Sequence, residues 1–99
     1  MRYAFLGYDR ANSLERRLAV RPAHLVRVEA LQGEGRLVLA GPFPAIDAEN
    51  PGASGFTGSL IVAEFPDLEA ACQWAAADPY VTEGVFERWE VRPFKQVLP

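Results

Sequence analysis

The sequence predicts an α+β fold in which an antiparallel sheet carries its helices on one face. Four apolar or alternating segments are separated by helical patterns, in the order strand, helix, strand, strand, helix, strand. This is the order of the split βαβ, or ferredoxin-like, arrangement βαββαβ. With 99 residues, of which 49% are hydrophobic, the chain can fill one core but not two. We therefore expect a single domain over residues 1–99.

Each predicted element has its own signal in the sequence. The strands are short apolar runs, and the helices begin at capping residues and end at glycine or proline. Asn12 and Glu15 match a capping box, whereas Pro22 has no amide hydrogen and is expected to end that first helix and to open the next. The predicted segments are a strand at 2–9, a short helix at 12–18, a helix at 22–33, a strand at 36–43, a loop at 44–58, a strand at 59–65, a helix at 67–78 and a strand at 85–94.

The signals in the second half of the chain are turns, caps and alternation. Pro42 limits how far the ladder of the second strand can continue, and the loop rich in glycine and proline that follows is long for a hairpin connection. Long ordered loops often carry function. Asp67 caps the next helix. The last strand alternates, with Phe86 and Trp89 on opposite faces, which suits an edge of the sheet.

The face of the sheet away from the helices has no partner in this chain. The first and third strands are apolar on both faces, and no element is left to cover the second one. An exposed apolar patch of that size marks an interaction surface. We therefore expect a homodimer that packs sheet against sheet around a two-fold axis.

The composition narrows the classes of partner. The formal net charge of -3 provides no positive field for nucleic acid. The single cysteine, Cys72, falls in an apolar helical pattern and cannot form an internal disulfide. No signal-peptide pattern occurs and no apolar run reaches the length of a membrane span, so we expect a cytoplasmic protein without a membrane partner.

The only histidine, His24, is the leading candidate for chemistry. Helical spacing places it on an inward stripe with Val28 and Leu31, near a helix N-terminus, where burial and the helix dipole both favour a neutral ring that can accept a proton. Asp78, at the end of the other helix, is its natural partner, because an aspartate on one ring nitrogen fixes the tautomer and stabilises the imidazolium as it forms. The alternative is a satisfied core histidine and an aspartate that only caps the turn before Pro79.

Other functional classes receive less support. His24 has no second histidine or cysteine nearby, so we expect no metal site, and no nucleophile elbow or nucleotide-binding glycine motif occurs, so we expect no cofactor. Arg17 and Arg21 could hold an anionic substrate, although salt-bridged arginines are commoner. Tyr8 and Tyr80 could donate hydrogen bonds, although packing is the commoner role. The residues expected to bind the substrate or line its pocket are Arg17, Tyr8, Gly41, Ser54 and Gly55.

Five short motifs occur together along the chain. They are Arg-Pro-Ala-His24, Glu-Gly35-Arg-Leu with Ala-Gly41-Pro42 close behind, Gly-Phe-Thr-Gly58, Ala-Asp78-Pro79-Tyr80 and Gly84-Val-Phe. Each is weak alone, but the set resembles the YCII-related (YciI-like) family over nearly the whole chain. The resemblance implies a ferredoxin-like dimeric α/β barrel similar to muconolactone isomerase, with a paired histidine and aspartate that match His24 and Asp78. One relative removes chloride from a chlorinated hydroxyquinol, which implies elimination or isomerisation of small ring compounds.

Two main functions are open on this basis, and haem or flavin oxygenase chemistry, as in other dimeric barrels, is a third option that a visible absorption spectrum would test. The first is a cofactor-independent lyase or isomerase in which His24 moves a proton and Asp78 orients the ring. Arg17 would hold an anionic or aromatic substrate, and the backbone around Gly41 and residues 52–58 would wall the pocket. The second is a noncatalytic dimer that binds or senses a metabolite in the same pocket. The reason for this alternative is that few residues in the sequence are candidates for catalysis.

Overall fold

A computed structural model describes residues 1–99 as a four-stranded antiparallel sheet with its helices packed on one face. The strand order β2-β3-β1-β4 and the order of elements along the chain confirm the predicted ferredoxin-like fold. A 3-10 turn at Gly52–Ser54 interrupts the loop between the second and third strands. The elements are β1 (Arg2–Asp9), α1 (Leu14–Gly33), β2 (Leu37–Pro44), β3 (Phe56–Glu64), α2 (Leu68–Ala76), α3 (Pro79–Thr82) and β4 (Phe86–Phe94).

Helix α1 is continuous, which corrects the predicted break at Pro22. It begins after Ser13 and not at Asn12, because Asn12 has a φ of 58°, in the left-handed region, and therefore forms part of the turn before the helix. Pro22 removes only the hydrogen bond to the Leu18 carbonyl. Both residues are exposed, so solvent can satisfy that carbonyl. The residues that α1 buries are Arg17, His24, Val28 and Leu31, which confirms the inward position predicted for His24. The prediction that His24 lies near a helix N-terminus is wrong, because the continuous helix places it in the middle.

The hydrophobic core lies between the sheet and the helices. Phe5 of β1 is 6% exposed and is central to it. Its ring centroid lies 5.9–6.3 Å from those of Trp74, Phe86 and Trp89, each in edge-on geometry. Such pairs stabilise the fold beyond their buried area, by about 0.5–1.5 kcal/mol each. The core therefore ties α2 and β4 to the centre of the sheet.

Strand β4 departs from the predicted alternation at its start. Its register with β1 skips Glu87, which is the extra residue of a β-bulge. Phe86 and Trp89 consequently both pack on the core, although simple alternation predicted opposite faces. The bulge also brings the Phe86 ring against that of Tyr80, with centroids 5.4 Å apart, and this contact fixes α3 beside the sheet.

The face of the sheet away from the helices exposes apolar side chains. The register places Leu39 and Phe43 of β2 and Phe94 of β4 on this face, and they are 37–48% exposed. This far face of the sheet is the surface for which the sequence analysis predicted no covering element in the chain. None of the helices combines the length and apolar character that a membrane crossing needs.

Candidate functional site

A cavity of about 390 Å³ lies between α1, the adjoining parts of β2 and β3, and α3. Its apolar wall includes Val28, Phe56 and Ile61, which suit the apolar part of a ligand. The polar side chains on its wall are Arg17, Arg21, His24, Ser59 and Tyr80. They come from α1, β3 and α3, so packing of the helices on the sheet creates the site.

The His24 ring is held from one side by Asp78. Its Nδ1 lies 2.9 Å from both carboxylate oxygens of Asp78, and that side chain is 0% exposed. A carboxylate can only accept here, so the ring donates through Nδ1 and the neutral tautomer carries its lone pair on Nε2. The one fully buried side-chain nitrogen or oxygen without a partner is Nε of Arg2. Nε2 of His24, which has no hydrogen bond within the chain, therefore keeps access to the cavity that His24 lines.

Asp78 is fixed by more than the histidine. As the N-cap of α3 it accepts the Tyr80 amide at 2.9 Å, and it also accepts from Nη1 of Arg27 at 3.3 Å. Arg27 donates through Nη2 to the Trp74 carbonyl at 2.8 Å and lies 4.2 Å above the centroid of the Trp74 ring. A carboxylate with this many donors keeps its orientation, so the capping and histidine-pairing roles that the sequence set against each other coexist in one residue.

Tyr80 connects the histidine to the arginines. Its ring stacks on that of His24 with centroids 4.0 Å apart and planes 15° from parallel, and the Arg17 guanidinium lies 4.7 Å from its centroid. Burial raises the pKa of the Tyr80 phenol above its ordinary value, against the opposing charges of Arg17 and Arg21. The phenol therefore stays protonated at neutral pH and can act as a hydrogen-bond donor to a ligand.

Arg17 is buried and already paired. Its Nη1 donates to both carboxylate oxygens of Asp9 at 2.8 and 2.9 Å, and its Nη2 donates to the Ser59 hydroxyl. Burial raises the pKa of the Asp9 carboxyl, and the adjacent guanidinium only partly offsets this effect. Arg21, which forms no ion pair in the chain, is exposed and is thus the uncompensated cation at the cavity.

The structure brings together only part of the predicted site. His24, Arg17 and Gly41 line the cavity, and Asp78 lies directly behind the histidine. Tyr8 lies on the far face of the sheet, where its hydroxyl bonds Glu90 at 3.2 Å. Ser54 and Gly55 belong to the 3-10 turn and its cap, and neither lines the cavity.

Sequence reasoning assigned no role to several residues of the site. Arg27 and Asp9 were not identified as partners of the candidate residues, and Ser59 was not considered as part of the site. The spacing of Arg17, Arg21 and His24 by four and three residues was a usable signal, because it places all three on one side of a continuous helix. The assumed break at Pro22 concealed it. No group of three or more histidine, cysteine, aspartate or glutamate side chains is placed to hold a metal ion.

Comparisons with known proteins agree with this architecture. The sequence matches the model of the YCII-related domain over residues 1–95. Protein YciI of Escherichia coli is 59% identical over 98 residues, which cover 99% of this chain and 100% of the relative. An uncharacterized protein of Haemophilus influenzae is 55% identical with the same coverage.

Two solved structures share the fold at low identity. The 5-chloro-2-hydroxyhydroquinone dehydrochlorinase (TftG) of Burkholderia phenoliruptrix AC1100, in complex with 2,5-dihydroxybenzoquinone, superimposes with a TM-score of 0.82 at 24% identity and covers 96% of this chain and 94% of its own. An antibiotic biosynthesis monooxygenase gives a TM-score of 0.53 at 14% identity, with 98% of both chains covered. These two similarities support the fold alone.

Proposed function

The chain belongs to the YCII-related family, and on that premise we propose that it is a cofactor-independent enzyme of the lyase or isomerase type that acts on a small molecule. In this proposal Nε2 of His24 removes a proton from a substrate held in the cavity, and Asp78 orients the ring. One observation carries the proposal: the histidine is bound on one nitrogen by a fully buried carboxylate and is open to the cavity on the other.

The pairing suits a general base for a physical reason. When Nε2 takes up a proton the ring becomes a cation, and the Asp78 carboxylate at 2.9 Å stabilises that cation in a poorly solvated place. The same hydrogen bond prevents the ring from turning its lone pair away from the cavity. A positioned base of this kind accelerates proton transfer by about 10²- to 10⁴-fold.

The charges on the cavity wall indicate the class of substrate. Arg17 is neutralised by Asp9, whereas Arg21 has no counter-charge, so the cavity favours a small compound with an anionic or polarised oxygen. Apolar side chains on the opposite wall suit a planar ring. The dehydrochlorinase that shares the fold binds 2,5-dihydroxybenzoquinone, which is a ligand of this class. Replacing Arg21 with glutamine should weaken the binding of such an anion and reduce its salt dependence.

A homodimer forms part of the proposal. The far face of the sheet exposes Leu39, Phe43 and Phe94, and a second copy packed by two-fold symmetry would bury the same patch on both chains. Sedimentation equilibrium measures the mass directly. A particle of 10.9 kDa, the mass of one chain, at micromolar concentration would contradict the dimer.

Proton exchange tests the catalytic role even while the product is unidentified. Small keto and hydroxy ring compounds that raise the melting temperature would be incubated with the protein in D₂O, and the loss of C–H signals followed by NMR. We expect exchange with the wild type and none with His24→Asn, whose amide nitrogen can still donate to Asp78. Full exchange or turnover in His24→Asn would refute the base.

A noncatalytic binding module is the second candidate, and one observation favours it. Apart from His24, the polar groups on the cavity wall are guanidinium, phenol and hydroxyl groups, which can bind an anion by charge and hydrogen bonds alone. In that case a ligand that stabilises the wild type would be recovered unchanged, with no deuterium incorporated.

A further inference from the structure

Tyr80 lines the same cavity as the base. Tyr80 is 2% exposed, it lines the cavity, and its hydroxyl has no hydrogen-bond partner within the chain. That hydroxyl is not among the fully buried unpartnered atoms, so its remaining accessibility leads into the cavity. A protonated phenol is thus presented to whatever His24 would act on.

We propose that Tyr80 is the second proton-transfer group of the site and donates to the substrate oxygen on which negative charge develops when His24 removes a proton. This inference rests on the proposed function, because it assigns the acid that accompanies that base. A carbon acid next to a carbonyl group loses its proton readily only if the carbonyl oxygen is stabilised as it gains charge. A donor at Tyr80 therefore selects substrates that carry a carbonyl or phenolic oxygen beside the acidic C–H bond.

The geometry holds the two groups in a fixed relation. The His24 and Tyr80 rings stack at 4.0 Å and nearly in parallel, and the edge of Phe86 packs against Tyr80 at 5.4 Å. Neither ring can turn without displacing the other. The face of the Tyr80 ring also stabilises the imidazolium that forms when His24 is protonated.

The electrostatic surroundings keep the donor protonated. Burial raises the pKa of the phenol and is the largest effect. The guanidinium groups of Arg17 and Arg21 on α1 act in the opposite direction, whereas the carboxylates of Asp78 and of Asp9 on β1 add to the increase. Arg21, which has no counter-charge, at the same time attracts the developing oxyanion towards the hydroxyl.

The proposed step conserves atoms and electrons. Nε2 of His24 takes the proton from a substrate C–H bond, and the electron pair of the broken C–H bond forms a C=C bond. The π electrons of the adjacent carbonyl move onto its oxygen, which takes the proton of the Tyr80 hydroxyl. With a β,γ-unsaturated carbonyl substrate the product of this step is a dienol. Its γ-carbon takes the proton of the imidazolium, the remaining C=C bond then lies between the α- and β-carbons, and the carbonyl re-forms as the enol oxygen returns its proton to Tyr80. The net change is an isomerisation without a co-reactant.

A matched pair of variants tests the inference with 4-nitrophenolate as the probe of oxyanion binding. Tyr80→Phe removes only the hydroxyl and keeps the ring that packs on His24, and Tyr3→Phe makes the same change on β1, away from the cavity wall. We expect Tyr80→Phe to bind the probe about 10- to 100-fold more weakly than the wild type, the range for a hydrogen bond to a charged group. Tyr3→Phe should bind it as the wild type does.

Each outcome of the titration decides the inference. Equal affinity in Tyr80→Phe and the wild type would overturn it, as would a wild type that does not bind the probe, and the His24→Asn exchange experiment would still judge the base separately. If Tyr80→Phe does not fold, a series of phenolates of increasing basicity replaces it. Wild-type affinity that rises with the basicity of the phenolate supports a donor, and affinity independent of basicity refutes one.

Discussion

Replacing Asp78 with asparagine should reduce the free energy of unfolding by about 3 kcal/mol. The substitution preserves shape and the cap of α3, because the amide oxygen can still accept from the Tyr80 amide. It removes the charge on a fully buried group and turns an amide donor towards Arg27 Nη1, which approaches the second carboxylate oxygen at 3.3 Å.

The magnitude follows from the bonds that change. A hydrogen bond to a charged group is worth about 1.5–3 kcal/mol. The bond from Arg27 is lost, and the one from His24 Nδ1 becomes a weaker bond to a neutral acceptor. Because Arg27 is 24% exposed, solvent recovers part of the first loss, so we expect about 3 kcal/mol rather than the sum of two full bonds.

Asp67→Asn is the matched control for this measurement. Asp67 is the N-cap of α2 and accepts the Ala70 amide at 2.8 Å, but it is exposed and has no histidine or arginine partner. Asparagine caps helices as well as aspartate does, so this variant should stay within about 0.5 kcal/mol of the wild type. Urea unfolding followed by circular dichroism gives both values at one pH.

The only histidine of the chain makes a second readout simple. Nitrogen-15 NMR of labelled His24 should show the proton on Nδ1 in the wild type and in Asp67→Asn, and a mixture of tautomers in Asp78→Asn. The reasoning fails if Asp78→Asn matches Asp67→Asn in stability, or if its ring keeps the wild-type tautomer.

Two further predictions concern the fold and its pH dependence. Gly7→Ala should lower the free energy of unfolding by about 1–3 kcal/mol, since a Cβ there would overlap the ring carbons of Phe86. Gly33→Ala should not lower it, because a Cβ at that position meets nothing within 4 Å. Equal melting temperatures of the two variants would contradict this prediction. Burial raises the folded-state pKa of Asp9 above 3.8. The contribution of this group to the free energy of unfolding is therefore complete below pH 3.8 and is lost as the pH rises through the raised pKa. Urea titrations should therefore show wild-type stability falling relative to Asp9→Asn as the pH rises through this window, and the opposite trend would refute the assignment.

The sequence predicted the fold because its signals agree with one another. Apolar runs, caps and glycines placed every strand and the inward face of α1, and the structure confirms both. Pro22 misled because local propensity penalises proline inside a helix by about 3 kcal/mol, and tertiary packing of His24, Val28 and Leu31 outweighs that penalty.

The error at the start of β4 comes from strand register, which local sequence patterns do not reveal. Glu87 looks like any alternating residue, and only its pairing with β1 makes it a bulge. The bulge thus depends on a contact with a distant part of the chain. Asn12 is a residue type that is common at helix N-caps, but its left-handed backbone places it in a turn.

The site was accessible to sequence reasoning only where residue type and spacing sufficed. His24 was found because it is unique, and Asp78 because it is a carboxylate beside a helix end. The compensation of Arg17 by Asp9 could not be found, because the two residues meet across α1 and β1 at 2.8 Å without any sequence signal. The presence of Tyr8 on the far face depends on strand register in the same way.

Because α1 is continuous, it forms a rigid wall on one side of the cavity. Each residue advances a helix by about 1.5 Å, so Arg21 and Arg17 lie about 4.5 and 10.5 Å from His24 along the helix axis. The opposite wall includes Ala40, Gly41 and Pro42 of β2. Because β2 is an edge strand, it is hydrogen-bonded to a neighbouring strand on one side only. Relatives that accept bulkier or slimmer compounds should therefore differ along β2, while the spacing on α1 stays constant.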